Sequence, residues 1–358
     1  MASVFDYLDW RGDLRFEQAP LNEVDSMILS QISYIDFEGV VPSEHDGKPI
    51  PLLTAMRAYL RRHKGEVPYL GKILPPEVVS LAAKAAKSRR FCDVKLCGYV
   101  NRIHRRRQTQ FSAITFRLSD GTGYVAYRGT DDTLIGWKEN FNMSFMHPVP
   151  AQLVAVRYLE GAAATLTGDF YVGGHSKGGN LAVYAAVKCD PSLKGRILSV
   201  FNNDGPGFNR EFITGTDYQS MRGKLRTIVP QSSVVGMLLE HEETYEVIKS
   251  NADGLLQHNG FSWEVLGSAF IHLDTISSES RLIDTTLKSW LNQMTAAERE
   301  QFVDSLYNSL SAAGIRTLTD LSADKLKLMR VWGTLDPKAR TLLLKCAALL
   351  LSQRKKQK

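Results

Sequence analysis

The stretch Gly173-Gly174-His175-Ser176-Lys177-Gly178-Gly179 sets one hydroxyl among four glycines. Glycine-rich turns of this kind serve two chemistries: backbone N–H groups that cradle phosphate, or a strained elbow that exposes a nucleophile. A phosphate loop needs its lysine after the last glycine and a hydroxyl after the lysine. Here Lys177 precedes Gly178-Gly179, and Asn180 follows. The dinucleotide spacing fails as well, because Gly174 directly follows Gly173. Gly174-His175-Ser176-Lys177-Gly178 does fit the nucleophile pattern G-x-S-x-G letter for letter. The plainer alternative is a glycine turn with an idle serine.

A bare serine hydroxyl is a poor nucleophile, so it needs a base and an acid to orient that base. Three histidines follow Ser176: His241, His258 and His272. His241 lies in an acidic segment and His272 in an apolar one, where surface or packing roles suffice. His258 lies in a loop just past a strand-like segment and is the candidate base. Asp204, in Asn202-Asn203-Asp204-Gly205-Pro206, is the candidate acid, since it ends the strand that follows the serine's helix. The competing reading of Asp204 is a turn aspartate before Gly-Pro. Asp253 is the runner-up acid, only five residues before His258 in the same loop.

These residues need a scaffold, and the periodicity supplies one. Segments 94–101, 111–118 and 124–127 are strand-like, as are 170–172, 196–201, 224–229 and 245–249, the last of the series. Helix-like segments 151–166 and 178–187 fall between them. This alternation predicts an α/β domain with a largely parallel sheet. Residues 1–90 read as a helical N-terminal region packed on that core, with helices in 21–37, 52–62 and 76–87. The core spans 91–275. Residues 276–358 read as a C-terminal helical region with segments 281–293, 296–313, 322–333 and 337–354.

With 358 residues, 44% hydrophobic and 23% charged, the chain has the make-up of an ordinary globular protein. Its net charge of +6 is concentrated in clusters at 61–64, 89–90, 102–107 and 354–358. Cys92 and Cys97 lack a second Cys or His pair at zinc spacing, so neither a metal nor a cofactor is expected. The acidic start of the chain does not fit a secretory signal. No apolar run approaches the ~18 residues of a spanning helix. A reducing, cytoplasmic setting is the expectation.

On these residues the chain resembles the α/β-hydrolase superfamily, and within it the class 3 (fungal-type) lipases. The segment Val172 to Ala182 is similar to that family's nucleophile stretch, and "VAYRGTDDTLIGWKENF" to its [FY]-R-G-[ST] segment. The whole chain, helical ends included, resembles a bacterial lipase-like family catalogued as a domain of unknown function. The resemblance implies an α/β-hydrolase-type sheet, an oxyanion hole from Thr130 and the backbone N–H of Lys177, and a lid over 131–141. It departs at one place. Class 3 lipases usually carry their acid after the strand matched by 224–229, where this chain has "VPQSSVVGMLL" without a carboxylate.

The reading is therefore a carboxylic-ester hydrolase using Ser176, Asp204 and His258 on a small-molecule or lipid ester. Trp137 and Phe141 in the lid segment favour an acyl lipid, with thioesters and amides left open. A Lys177 side chain beside the serine would favour an anionic head group. The alternative is an inactive hydrolase-fold protein binding RNA or an anionic membrane through residues 102–107 and the basic tail. The aromatics of a single-strand RNA platform are missing there, which argues against nucleic acid. Peripheral membrane contact through the apolar, basic-ended C-terminal helix stays open.

Overall fold

A computed structural model of the chain describes residues 2–66, 75–104, 108–131, 133–278, 280, 281, 294–317, 320, 325–341 and 344. The strands are β1 (Ile50–Pro51), β2 (Lys95–His104), β3 (Thr109–Arg117), β4 (Gly123–Tyr127), β5 (Phe170–His175) and β6 (Ile197–Asn203). They continue with β7 (Leu225–Pro230), β8 (Tyr245–Ile248), the hairpin β9 (Val265–Leu266) and β10 (Ala269–Phe270), and β11 (His272–Leu273). Nine of them form one sheet in the order β1-β2-β3-β4-β5-β6-β7-β8-β11. Neighbours from β4 to β8 are parallel. The β1–β4 side and the β8–β11 edge are antiparallel. The sheet is therefore mixed, parallel only across its five strands β4 to β8, and with helices on both faces it has the architecture of an α/β-hydrolase-type fold, with β5 at its centre.

The helices are α1 (Val4–Arg11), α2 (Glu23–Ile32), α3 (Leu52–Arg62), α4 (Glu77–Ala85), α5 (Leu134–Asn142), α6 (Pro150–Thr165) and α7 (Lys177–Lys188). After them come the short α8 (Pro191–Lys194), α9 (Arg210–Thr214) and α10 (Thr216–Met221), then α11 (Ala296–Ala312) and α12 (Lys325–Thr334). Strand alternation divides them between the two faces of the sheet. Tyr124 and Ala126 of β4 pack with α1–α4, whereas Val125 and Tyr127 pack with α6 and α7. Both faces are covered, so every residue of β4 is buried and the strand reads as a continuous apolar run.

Helix α2 is buried along its whole length, which leaves its polar groups to be satisfied internally. Asn22 caps its start, accepting from Val24 and Asp25 N–H. Asp25 pairs with Arg90 at 2.5 Å, both side chains fully buried. Ser26 and Ser30 meet the Tyr124 hydroxyl at 2.8 and 3.1 Å. These contacts fix the end of α2, from which Tyr34 reaches the centre of the sheet.

Two short strands depart from the sequence expectation. β8 is not the last strand, because His272–Leu273 adds an antiparallel edge to it. β1 pairs with β2 inside the region read as helical. Strands of two residues carry no readable period. The C-terminal helices pack onto α5, with Phe302, Val303, Ile315, Val331, Leu335 and Ala339 clustered around Leu134. The segment expected to be helical at 281–293 lies almost wholly outside the described residues, as do most of 337–354, the basic tail and residues 105–107 of the arginine turn. Among the described residues no helix is long and apolar enough to cross a membrane.

Helix α7 crosses β4 at closest range through Gly178. A Cβ there would lie 2.0 Å from the Tyr127 carbonyl oxygen, a backbone atom that cannot yield. Gly178→Ala is expected to cost about 3 kcal/mol, the upper end of the overpacking range, by chemical denaturation. Gly195→Ala, with open space and φ −61°, is expected to be neutral or stabilising by up to about 1 kcal/mol. Equal effects at the two positions would contradict the packing.

Candidate active site

Strand β5 ends at His175, and Ser176 turns the chain sharply into α7 with φ +59° and ψ −133°. A positive φ in a non-glycine residue costs on the order of 1–3 kcal/mol and has to be imposed by its surroundings. The Ser176 N–H donates to the Asn203 carbonyl at 2.9 Å, tying the elbow to β6. The flanking glycines are steric necessities, since a Cβ on Gly174 would lie 2.4 Å from the backbone of Gly178. Lys177 opens α7, so its N–H belongs to the first turn, which has no intrahelical acceptor.

Asp204 follows β6 and also has positive φ, +51°. Its N–H donates to the Ile228 carbonyl of β7 at 2.8 Å. Register therefore sets serine and acid side by side, at the ends of two adjacent parallel strands. The Asp204 side chain is fully buried, and its Oδ2 lies 2.6 Å from Nδ1 of His258. Its Oδ1 accepts from the Ser233 hydroxyl at 2.5 Å and from the Gly236 N–H at 3.2 Å. Ser233 and Gly236 belong to the loop after β7, where the sequence lacks the expected carboxylate. That loop holds the Asp204 carboxylate through two donors and brings no carboxylate of its own.

His258 ends a short 3-10 turn, Gly254–His258, with its side chain one-quarter exposed. With Nδ1 committed to Asp204, Nε2 is the nitrogen available for proton transfer. Asp253 is exposed at the start of that turn. His241 faces the Gly236 carbonyl and Glu243, at 2.7 and 3.3 Å. His272 stands on edge strand β11, 2.8 Å from Glu23. The structure thus pairs His258, of the three histidines, with the sequence-chosen aspartate.

Thr130 is buried on the loop after β4, and its Oγ1 accepts from Asn140 Nδ2 at 2.7 Å. Because Asn140 occupies an acceptor position, the threonine keeps its own proton free to donate. Asn140 belongs to α5, the segment expected to be a lid. This helix is held from both sides. Inside, Glu139 accepts from Lys177 Nζ at 2.9 Å and from the N–H groups of Gln110 and Ala151 at 3.1 and 3.0 Å. Outside, Lys138 pairs with Asp304 of α11 at 2.5 Å. Phe141 stays 42% exposed.

This arrangement corrects the expectation for the Lys177 side chain. It is fully buried, donating to Gln110 O and Oε1 at 2.7 and 2.8 Å as well as to Glu139. It offers no charge to a substrate head group. An apolar surrounding forces a buried cation into such pairing, but nothing in the local sequence marks Glu139, 38 residues away, as its partner.

His175 is buried, and burial, with the neighbouring His258, pushes its pKa down to about 3. The ring is therefore neutral. Its Nδ1 lies 3.1 Å from the Tyr34 hydroxyl and its Nε2 2.8 Å from the His258 carbonyl oxygen. Tyr34, Asn140, Ser233 and Gly236 carry no motif of their own and become visible only once distant segments meet. For a metal, the described residues offer one group close enough to share a cation: Glu23, Glu246 and His272. Arg226 already bridges both carboxylates there, at 2.8 Å each, which makes it an ion-pair network.

Removing one partner of the buried Lys177–Glu139 pair strands the other charge. Lys177→Leu is expected to destabilise by about 3–5 kcal/mol in denaturant titration. A double Lys177→Met, Glu139→Gln variant should recover a large part of that loss. An unchanged midpoint for Lys177→Leu would contradict the pairing.

The family model described as Mbeg1-like matches residues 85–308, well over half the chain and including every residue of the site except Tyr34. No curated protein matches the sequence. Among solved structures, the chain is similar to a triacylglycerol lipase described as having a serine-protease triad as its catalytic centre. Identity is 16% over 62% of this chain and 77% of that one, with a TM-score of 0.39. Lipase II from Rhizopus niveus is likewise 16% identical, over 76% of this chain and 92% of its own, with a TM-score of 0.39. The native propeptide complex of Rhizomucor miehei lipase is 16% identical over 48% and 59%, with a TM-score of 0.35. By its family model, this chain belongs to the Mbeg1-like family.

Proposed function

We propose that this protein is a serine hydrolase of carboxylic esters, working through Ser176, His258 and Asp204. The observation that carries the reading is the 2.6 Å contact between buried Asp204 and His258 Nδ1, next to a serine on a strained elbow. Nε2 of His258 takes the proton as Ser176 Oγ attacks the ester carbonyl. The imidazolium that results is stabilised by Asp204. The Lys177 N–H and the Thr130 hydroxyl receive the oxyanion, each donor contributing about 3–4 kcal/mol to the transition state. His258 returns the proton to the leaving alcohol, leaving an acyl group on Ser176. Water, activated by the same imidazole, then releases the acid.

Trp137 and the exposed face of Phe141, on α5 beside the Thr130 donor, favour an apolar acyl chain over a small polar one. An acyl lipid or other apolar ester is the substrate class this supports. Hydrolysis of p-nitrophenyl acyl esters tests the reading. Ser176→Ala is expected to fall to the uncatalysed background. Thr130→Val should lose about 10²–10³ in kcat with little change in KM. Wild-type rates in Ser176→Ala would overturn the assignment.

A further inference from the structure

The Tyr34 hydroxyl lies outside the Ser-His-Asp set, yet it is built into the same place. Tyr34 follows α2 by two residues, is 5% exposed, and sits 3.1 Å from His175 Nδ1. A Cβ on Gly129 would come within 2.1 Å of that hydroxyl and 2.6 Å of the His175 carbonyl oxygen, so only glycine fits against it. The opposite nitrogen of His175 lies 2.8 Å from the main-chain carbonyl of His258. The two imidazoles lie 4.6 Å apart at 32°.

Proton bookkeeping fixes the direction of this chain. A carbonyl oxygen can only accept, so His175 Nε2 carries the hydrogen. A neutral ring then has a lone pair on Nδ1, and the Tyr34 hydroxyl must donate to it. In the other tautomer, two lone pairs would face each other at the His258 carbonyl and push the base loop away. We propose that Tyr34 is a positioning residue of the hydrolase site: its hydroxyl donates to His175 Nδ1, stabilises the Nε2–H tautomer that the His258 carbonyl demands, and thereby strengthens the anchor on the backbone of His258. The inference rests on the hydrolase reading for its consequence in rate, though not for its consequence in tautomer.

This gives the N-terminal region a role in the reaction. The base must keep Nδ1 on Asp204 while Nε2 moves a proton, and displacements of about 1 Å at such a site cost up to 10²-fold in rate. The carbonyl anchor holds the base loop from the nucleophile's own strand, so serine and base move as one body.

Tyr34→Phe removes the hydroxyl and keeps the ring that packs on His175 at 6.1 Å. The test is ¹⁵N NMR of the histidine rings in the full chain, combined with ester kinetics. In the wild type, His175 should show a neutral Nε2–H ring between pH 5 and 8. In Tyr34→Phe, the ring signals of His175 and His258 should both shift, and kcat should fall about tenfold with KM unchanged. Wild-type His258 signals and kcat in Tyr34→Phe, or a wild-type His175 with its proton on Nδ1, would overturn the proposal. If the wild type cleaves no ester, the hydrolase reading fails alone. Coupled shifts at His175 and His258 would still support the anchor, and uncoupled ones would remove it.

Discussion

The contact between Asp204 and His258 is the constraint on which the rest of the site depends. A fully buried carboxylate costs several kcal/mol unless its oxygens are satisfied, and three donors meet this one. They come from two loops, His258 from the one after β8 and Ser233 and Gly236 from the one after β7, while the aspartate itself follows β6. Parallel pairing of these strands brings their C-terminal ends to one edge of the sheet, and the elbow at the end of β5 joins them there. Both Ser176 and Asp204 sit at positive φ, and hydrogen bonds to neighbouring strands hold them. The sheet is thus the source of the strain that presents the two side chains.

A second buried charge ties the elbow to the segment over it. Lys177 neutralises Glu139, and Glu139 also caps N–H groups of β3 and α6. Helix α5 therefore docks on the residue next to Ser176, while Lys138 and Leu134 dock the C-terminal helices on α5. The Thr130 hydroxyl, the proposed oxyanion donor, accepts from Asn140 of the same helix. One helix thus contacts both the C-terminal helices and the residues of the candidate site.

The sequence was most readable where the chemistry is local. The elbow could be recognised because steric contact between Gly174 and Gly178 demands glycine at fixed spacing around Ser176. Asp204 and His258 followed from the order of strands and from the short supply of histidines. What stayed hidden has partners far apart in the chain: Ser233 is 29 residues from Asp204, and Tyr34 is 141 from His175. Such hydroxyls carry no periodic or motif signal, since their types are common and their roles arise from folding. The Lys177 side chain misled for the same reason. Adjacency to the nucleophile suggested a substrate contact, whereas helix geometry turned it inward to a glutamate.

The most direct test of the triad is the rate at which a fluorophosphonate forms an adduct on the tryptic peptide containing Ser176, followed by mass spectrometry in wild type and Asp204→Asn. Asparagine would direct an N–H at His258 Nδ1 and force the proton onto Nε2, which leaves no base for the serine. The expected result is an adduct confined to Ser176 in the wild type and at least a hundredfold slower in Asp204→Asn. Labelling on another residue, or equal rates in the two proteins, would contradict it.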